Sequence, residues 1–234
     1  MSDARADSGA QTEKRSGAPT EKPGGGYHGI LFVISSPSGG GKGTLIRRLL
    51  DAVPGVSYSV SWTTRGPRAG ETDGVNYHFV TAEEFSRMSE RGGFLEWAVV
   101  HGHLYGTARS VVEQDLSEGH DIILEIDVQG AAAVRATMSS VVSVFILPPS
   151  FEVLRARLTR RMTERPDELE LRLRNARGEV EQYRHFDYLV LNDDLERAAA
   201  QLASIVWAER ARRDRQEWVA RRVLKTFAPA PDVE

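Results

Sequence analysis

The stretch that decides the fold is "VISSPSGGGKGT", Val33 to Thr44. The strict phosphate-binding pattern is G-x-x-x-x-G-K-[ST]. Here Ser36 stands where the first glycine belongs, and Gly43 stands where the metal-binding hydroxyl belongs. The parts that bind phosphate are nevertheless present. Gly39, Gly40 and Gly41 allow close backbone approach, Lys42 supplies a mobile ammonium, and Thr44 offers a hydroxyl. Before the loop, "GILFVIS" is a short apolar, partly β-branched run that reads as a fully buried strand. After it, "TLIRRLLDAV" puts Leu45, Ile46, Leu49 and Leu50 on one helical face. A loop between a buried strand and a helix start converges several amides on one spot, and the helix dipole adds positive potential there. The stretch therefore predicts a nucleoside triphosphate site.

The strand-to-helix rhythm recurs in "DIILEIDVQGAAAVRAT" and in "VVSVFILPPSFEVLRARL". It recurs again in "DYLVLNDDLERAAAQLASIVWAE", where Asn-Asp-Asp caps a long final helix. Four such units predict an α/β fold with a parallel sheet covered by helices on both faces. Two segments break the rhythm: one is mixed, with short strand-like runs and the helix "TAEEFSRMSERGG", and one is crowded with arginine and acid. Both read as insertions at the ends of core strands, where ligands dock in open α/β sheets.

The resulting expectation is a core made of residues 27–60, 108–156 and 178–225, an insertion over 61–107, and a lid over 157–177. Residues 1–26 and 226–234 are expected to be disordered tails. The first of these is Ser, Gly, Ala, Glu, Lys and Pro with almost nothing to bury. The basic C-terminal stretch "AERARRDRQEWVARRVLK" reads as a solvated helix end.

The chain has 234 residues, 41% hydrophobic content, a net charge of -3 and no cysteine. That length suits one compact domain with a small satellite. The charge argues against a protein that coats nucleic acid. The absence of cysteine excludes disulfides and thiolate metal sites. No apolar run approaches the roughly 18 residues of a membrane helix, and no secretory signal is visible, so the expected location is cytoplasmic. The expected assembly is a monomer or small homo-oligomer.

A second constellation lies in "SVSWTTRGPRAGETDGVNYHF", Ser59 to Phe79. Arg65 and Arg68 sit in a stiff, Pro- and Gly-punctuated turn from which two guanidiniums can grip one phosphate. "FLEWAVVHGHLYGT" adds Glu96, Tyr105 and Thr107, and "LEIDVQG" adds Glu125 and Asp127.

With these pieces assembled, the chain resembles the guanylate kinases of the bacterial cytosolic type. The matching segments are "SPSGGGKGTL", "SVSWTTRGPRAGETDGVNYHF", "FLEWA", "YGT", "IDVQGA", "FILPPS" and "LVLNDD", over about residues 29–212. The resemblance implies transfer of the γ-phosphoryl group of ATP to GMP, and to dGMP, with Mg²⁺ held mainly through phosphates and water. It implies that Ser36, Pro37, Ser38, Gly39, Gly40, Gly41, Lys42, Gly43 and Thr44 form the ATP loop. Arg65, Arg68, Tyr77 and Tyr105 would hold the GMP phosphate, with Glu71 bracing the arginine segment. Ser61, Glu96 and Thr107 would read guanine, and Asp127 would lie near the nucleotide and metal. Arg157, Arg161 and Arg172 would close over the triphosphate, and Asn192 would lie near adenine. Lys42, Arg65, Arg161 and Arg172 are the expected catalytic cations.

The chain departs from the family pattern in three places. Glu125 replaces an aspartate, Leu104 replaces the first of paired tyrosines, and Met162 replaces a lid glycine. An extended segment also points Trp62 away from the side that Ser61 faces. Two other readings stay open: a non-catalytic interaction module, against which Lys42 speaks, and a kinase for another monophosphate, against which Glu96 and Ser61 speak.

Overall fold

The structure, a computed structural model, describes residues 28–100, 102–160 and 166–227. Its frame is a five-stranded sheet. Strand β1 (Leu31–Ser35) runs into the glycine-rich loop and helix α1 (Lys42–Ala52), and β2 (Val56–Tyr58) follows. The small elements β3 (Trp62–Thr63), β4 (His78–Phe79), α2 (Ala82–Glu90), β5 (Phe94–Val100) and β6 (His103–Ala108) come next. The chain then returns through α3 (Arg109–Ser117), β7 (Asp121–Glu125), α4 (Val128–Thr137) and β8 (Val141–Leu147). It ends in α5 (Phe151–Arg160), α6 (Pro166–Glu181), β9 (Tyr188–Leu191), α7 (Leu195–Arg210) and α8 (Glu217–Lys225). The large sheet has the order β2-β7-β1-β8-β9, and every pairing in it is parallel.

Alternation along the central strand explains the layers. Phe32 and Ile34 feed one core with Leu45, Ile46 and Leu49 of α1 and Ala198, Leu202 and Val206 of α7. Leu31 and Val33 feed the other with Val112 of α3 and Ala131 and Val134 of α4. A strand buried on both faces must read as a continuous apolar run, and β1 does. The helix face anticipated from Leu45, Ile46, Leu49 and Leu50 is the packed one, with Leu50 only partly covered.

The smaller sheet has the order β4-β3-β6-β5 and is drawn from residues 62–108. Helix α2 closes beside it and begins with a capping box, in which Thr81 and Glu84 satisfy each other's backbone amides. Phe85 of α2 stacks on Phe94 of β5 at 4.3 Å between ring centroids. The sheet is tied to the frame by Leu95 of β5, which is buried in the core of α3 and α4. The pairing of β5 with β6 is irregular between Phe94 and Glu96. A bulge there lets Leu95 enter the large core while Glu96 is re-aimed.

Two features differ from the sequence expectation or were absent from it. The basic C-terminal stretch is not one helix: α7 ends at Arg210, and α8 starts only at Glu217. Buried Glu209 accepts the Tyr188 hydroxyl at 2.5 Å and the Arg215 guanidinium at 3.1 Å, which pins the turn between the helices. Both expected tails fall largely outside the described residues, although Thr226 and Phe227 are described and close a turn after α8.

The start of β7 carries a buried acid that the sequence did not announce. Asp121 accepts the Ile30 amide at 2.8 Å and Arg210 Nε at 2.7 Å, and Arg210 also donates to the Pro54 carbonyl at 2.9 Å. It thereby clamps β1, β7, α7 and the end of α1. Asp121→Ala leaves a guanidinium and an amide without this partner, and is expected to cost about 3–5 kcal/mol in urea unfolding. The kcat per folded molecule should be unchanged.

Candidate active site

The loop after β1 lies at the C-terminal edge of the large sheet. Gly39 and Gly41 have φ of +82° and +94°, the left-handed region where a side chain is strained. Gly41 also has no room for one, since an added Cβ would lie 2.3 Å from the Asn192 side-chain nitrogen. Asn192 is buried and donates that nitrogen to the Gly40 carbonyl at 2.8 Å. Arg157 donates to the Asn192 carbonyl at 2.9 Å and to the Gly40 carbonyl at 3.4 Å. Glu179 of α6 accepts the Ser38 amide at 3.0 Å. The loop is thus held from outside by the end of β9 and by both helices that flank the arginine-rich segment. Arg157 and Asn192, expected at the nucleotide, spend these bonds on the loop backbone. Glu179 was not anticipated, and no motif marks it.

Lys42 is the first residue of α1, and Thr44 is exposed in its first turn. Ser36 is buried and donates to the Pro37 carbonyl at 2.9 Å, so its hydroxyl is absorbed by the loop itself. Arg172 lies on α6 and is half-buried. Arg161, like Met162, lies outside the described residues.

The second pocket is built on the small sheet. Arg65 is held on three sides: it donates to Glu71 Oε1 at 2.9 Å, to the Tyr105 hydroxyl at 3.1 Å and to the Gly66 carbonyl at 2.8 Å. Its guanidinium also lies 5.3 Å from the Tyr77 ring centroid. The other oxygen of Glu71 accepts the Arg68 amide at 2.8 Å, so one carboxylate sets both ends of the arginine turn. That bond to Arg65 is the largest of the effects that hold Glu71 below the usual carboxylate range. Tyr77 meets Tyr105 edge-on, while the Arg68 side chain is exposed. Ser61 enters β3, and its carbonyl accepts the His78 amide at 2.9 Å. Trp62 stacks on His78 and lines a hollow with Val80, Glu84 and Arg87, a position that suits the expected outward orientation.

Glu96 is the buried acid of the site. Thr107 donates to its Oε1 at 2.6 Å. Asp127 caps α4 by accepting the Gly130 amide at 2.8 Å, and its charge reaches Glu96. Burial is the dominant cause that pushes the Glu96 carboxyl up to about 7; the Thr107 bond opposes the shift, and the Asp127 charge adds to it.

Glu125 stands between the two pockets. Tyr58 donates to its Oε2 at 3.2 Å, and a Cβ placed on Gly43 would lie 3.7 Å from both its oxygens. Burial, and after it the Glu125 charge, push the hydroxyls of Tyr58 and Tyr77 up. The carboxylate therefore occupies the space beside the helix start where a longer side chain at position 43 would project.

A phosphate loop at the edge of a parallel sheet, with a braced arginine and a buried acid on a second, smaller sheet, is the arrangement of a nucleoside monophosphate kinase. The comparisons with known proteins specify which. Residues 29–209 match the family model described as guanylate kinase. The chain is 48% identical over 205 residues to guanylate kinase of Chelativorans sp. (strain BNC1), covering 87% of this chain and 94% of that one. It is 49% identical over 189 residues to guanylate kinase of Pseudomonas fluorescens (strain Pf0-1), covering 81% and 92%. The crystal structure of guanylate kinase from Anaplasma phagocytophilum superposes with a TM-score of 0.68 at 35% identity, over 82% of this chain and 95% of that one. The chain belongs to the guanylate kinase family, and its activity is phosphoryl transfer from ATP to GMP, giving ADP and GDP.

The environment of Glu96 yields a pH prediction. On the assignment of Glu96 to guanine N1–H and the exocyclic amine, argued under the proposed function, the acceptor must be the carboxylate. A pKa of about 7 leaves Glu96 protonated in free enzyme below that pH, and binding must then release a proton. The KM for GMP should be flat above about pH 8 and rise about tenfold by pH 6. Calorimetry in buffers of different ionisation enthalpy should register the released proton. A KM independent of pH between 6 and 8 would contradict the shift.

Proposed function

We propose that the residues placed in the two pockets divide the reaction as follows. Lys42 and the amides of Gly39 to Thr44 hold the ATP phosphates. Arg65 and Arg68 bind the GMP phosphate with the Tyr77 and Tyr105 hydroxyls, and Glu71 keeps the two arginines in register. Glu96 accepts from guanine N1–H and the exocyclic amine, with Ser61 and Thr107 completing the base site and Asp127 beside it. Adenine has no N1–H and presents an amine in place of O6. A site built this way rejects it by about 10⁴-fold, because buried polar groups are left unpaired. None of these assignments needs a 2′-hydroxyl, so dGMP is a second acceptor.

The observation that carries this reading is Arg65 locked among Glu71, Tyr105 and Tyr77 on the same small sheet that buries Glu96 against Thr107. One pocket recognises a phosphate and the other a base edge, which together describe a nucleoside monophosphate.

No general base is required. The second pKa of a phosphate monoester is about 6, so the attacking oxygen is ionised near neutrality. The barrier lies in joining two polyanions in line, and positioning with charge stabilisation lowers it. Lys42 meets the moving phosphoryl group from the loop side, and Arg65 and Arg68 neutralise the acceptor. Arg172, and Arg161 from the segment outside the described residues, complete the cationic shell when residues 157–177 close as a lid. The insertion over residues 61–107 moves as the GMP-binding unit, and closure excludes the water that would otherwise hydrolyse ATP.

Mg²⁺ takes hard oxygen ligands and retains waters. The carboxylate of Glu125 beside Gly43, with the Thr44 hydroxyl, is a donor set that fits it, most of the coordination coming from phosphates and water. When bound, the ion neutralises charge on the phosphate oxygens. Among the described residues no helix is long and apolar enough to cross a membrane, and the lack of cysteine suits a cytoplasmic enzyme.

Lys42→Ala should lower kcat by about 10²-fold or more while GMP affinity, measured by calorimetry, stays within about threefold. Arg68→Ala should instead raise the KM for GMP with kcat largely kept. Turnover of Lys42→Ala close to that of the unaltered enzyme would remove the loop from the mechanism.

A further inference from the structure

Gly130 is a buried glycine in the first turn of α4, and its backbone gives no reason for it to be glycine. It is not among the positive-φ glycines, so any residue can adopt its conformation. Within a helix, alanine is favoured over glycine by local propensity. Space is what forbids a side chain. A Cβ built on Gly130 would lie 2.8 Å from Glu96 Oε2, closer than a carbon and an oxygen can pack, with Ile126 Cβ at 3.3 Å and Asp127 Oδ1 at 3.4 Å.

The surroundings leave Glu96 as the group that must yield. The start of α4 is fixed by Asp127, which accepts the Gly130 amide, so the helix backbone cannot retreat without losing its cap. On the other side, Glu96 Oε1 is engaged by Thr107 at 2.6 Å, and Glu96 itself follows the irregularity in β5 that fixes its direction. The carboxylate is therefore seated between a hydroxyl on β6 and bare helix backbone on α4.

We infer that Gly130 is a positioning residue for guanine selectivity: its missing side chain is the seat that lets the Glu96 carboxylate lie where it can accept from both edge donors of the base. This rests on the assignment of Glu96 as the guanine reader proposed above. In this role Gly130 acts through where it allows Glu96 to be.

The test is steady-state kinetics at about pH 8, where Glu96 is ionised, on G130A, E96D and the double variant, with thermal unfolding of each. G130A should raise the KM for GMP by about tenfold or more, the size of a lost hydrogen bond to a charged group. Its kcat should stay within about threefold and its KM for ATP should be unchanged. E96D raises the KM for GMP on its own because the shorter acid falls short of the base, and it withdraws the oxygen that a Cβ would strike. Adding G130A to E96D should therefore change the KM for GMP by less than about twofold, a non-additivity that independent sites do not show. If G130A alone lowers the unfolding temperature, the double variant should recover it.

Three results would overturn the inference. In the first, E96D raises the KM for GMP but G130A leaves it within about twofold of the unaltered enzyme; Glu96 then reads guanine without help from Gly130. In the second, G130A lowers stability, kcat and ATP affinity together in both backgrounds, which locates the clash at Ile126 or Asp127. In the third, neither variant moves the KM for GMP, and the assignment of Glu96 fails first, taking the inference with it.

Discussion

Mutual repulsion between two phosphorylated substrates is the constraint around which this molecule is arranged. A phosphate loop alone solves half of it, because converging amides and one lysine at a helix start favour a triphosphate. The other half needs cations on a separate support, close enough to meet the acceptor and far enough away to admit it. The small sheet provides that support. Its arginine turn is braced by the protein itself, since Arg65 is bonded to Glu71, Tyr105 and Gly66. A guanidinium locked in this way loses little further freedom when it meets a phosphate, and that makes it a more effective ligand than a free surface arginine.

The same economy of shape governs the base pocket. Burial makes the Glu96 carboxylate unfavourable, and this is the largest cause that pushes its pKa up to about 7. In the proposed role of Glu96, guanine relieves the penalty by donating two hydrogen bonds, whereas a base that cannot donate leaves it in place. On that proposal, selectivity comes from a group that is uncomfortable until the correct partner arrives. Thr107, Asp127 and the first turn of α4 set how uncomfortable it is.

Most of the frame was legible in the sequence, because a doubly buried parallel strand has to be written as an unbroken apolar run and its helices as one-sided stripes. Leu31 to Ile34 and Leu45, Ile46 and Leu49 say so directly. The motifs singled out residues that the structure brings together: Arg65 with Glu71, Tyr77 and Tyr105, and Glu96 with Thr107. What could not be read were contacts made across long sequence distances by ordinary residues. Glu179 reaching the Ser38 amide, Asp121 clamping Arg210, and Tyr58 donating to Glu125 have no local pattern, because each partner is chosen by the packing of elements. Gly130 belongs to the segment "IDVQGA", yet the side chain that a Cβ there would strike, Glu96, lies on β5.

The departures at positions 43 and 125 make sense as one change. Removing the side chain at Gly43 takes an oxygen donor away from the helix start and opens space beside it. A glutamate at position 125 is one methylene longer than the aspartate it replaces in the family pattern, and its two oxygens lie 3.7 Å from where a Cβ at position 43 would be. A longer acid is also a looser one, with more rotamers to lose. The Tyr58 hydroxyl bonded to Oε2 answers that, fixing the carboxylate from the β2 side. The loop that fails the strict pattern in its own sequence thus has a carboxylate from β7 beside its helix start, bonded to a tyrosine on β2. The surroundings of this loop are accordingly set by three strands and cannot be judged from the loop alone.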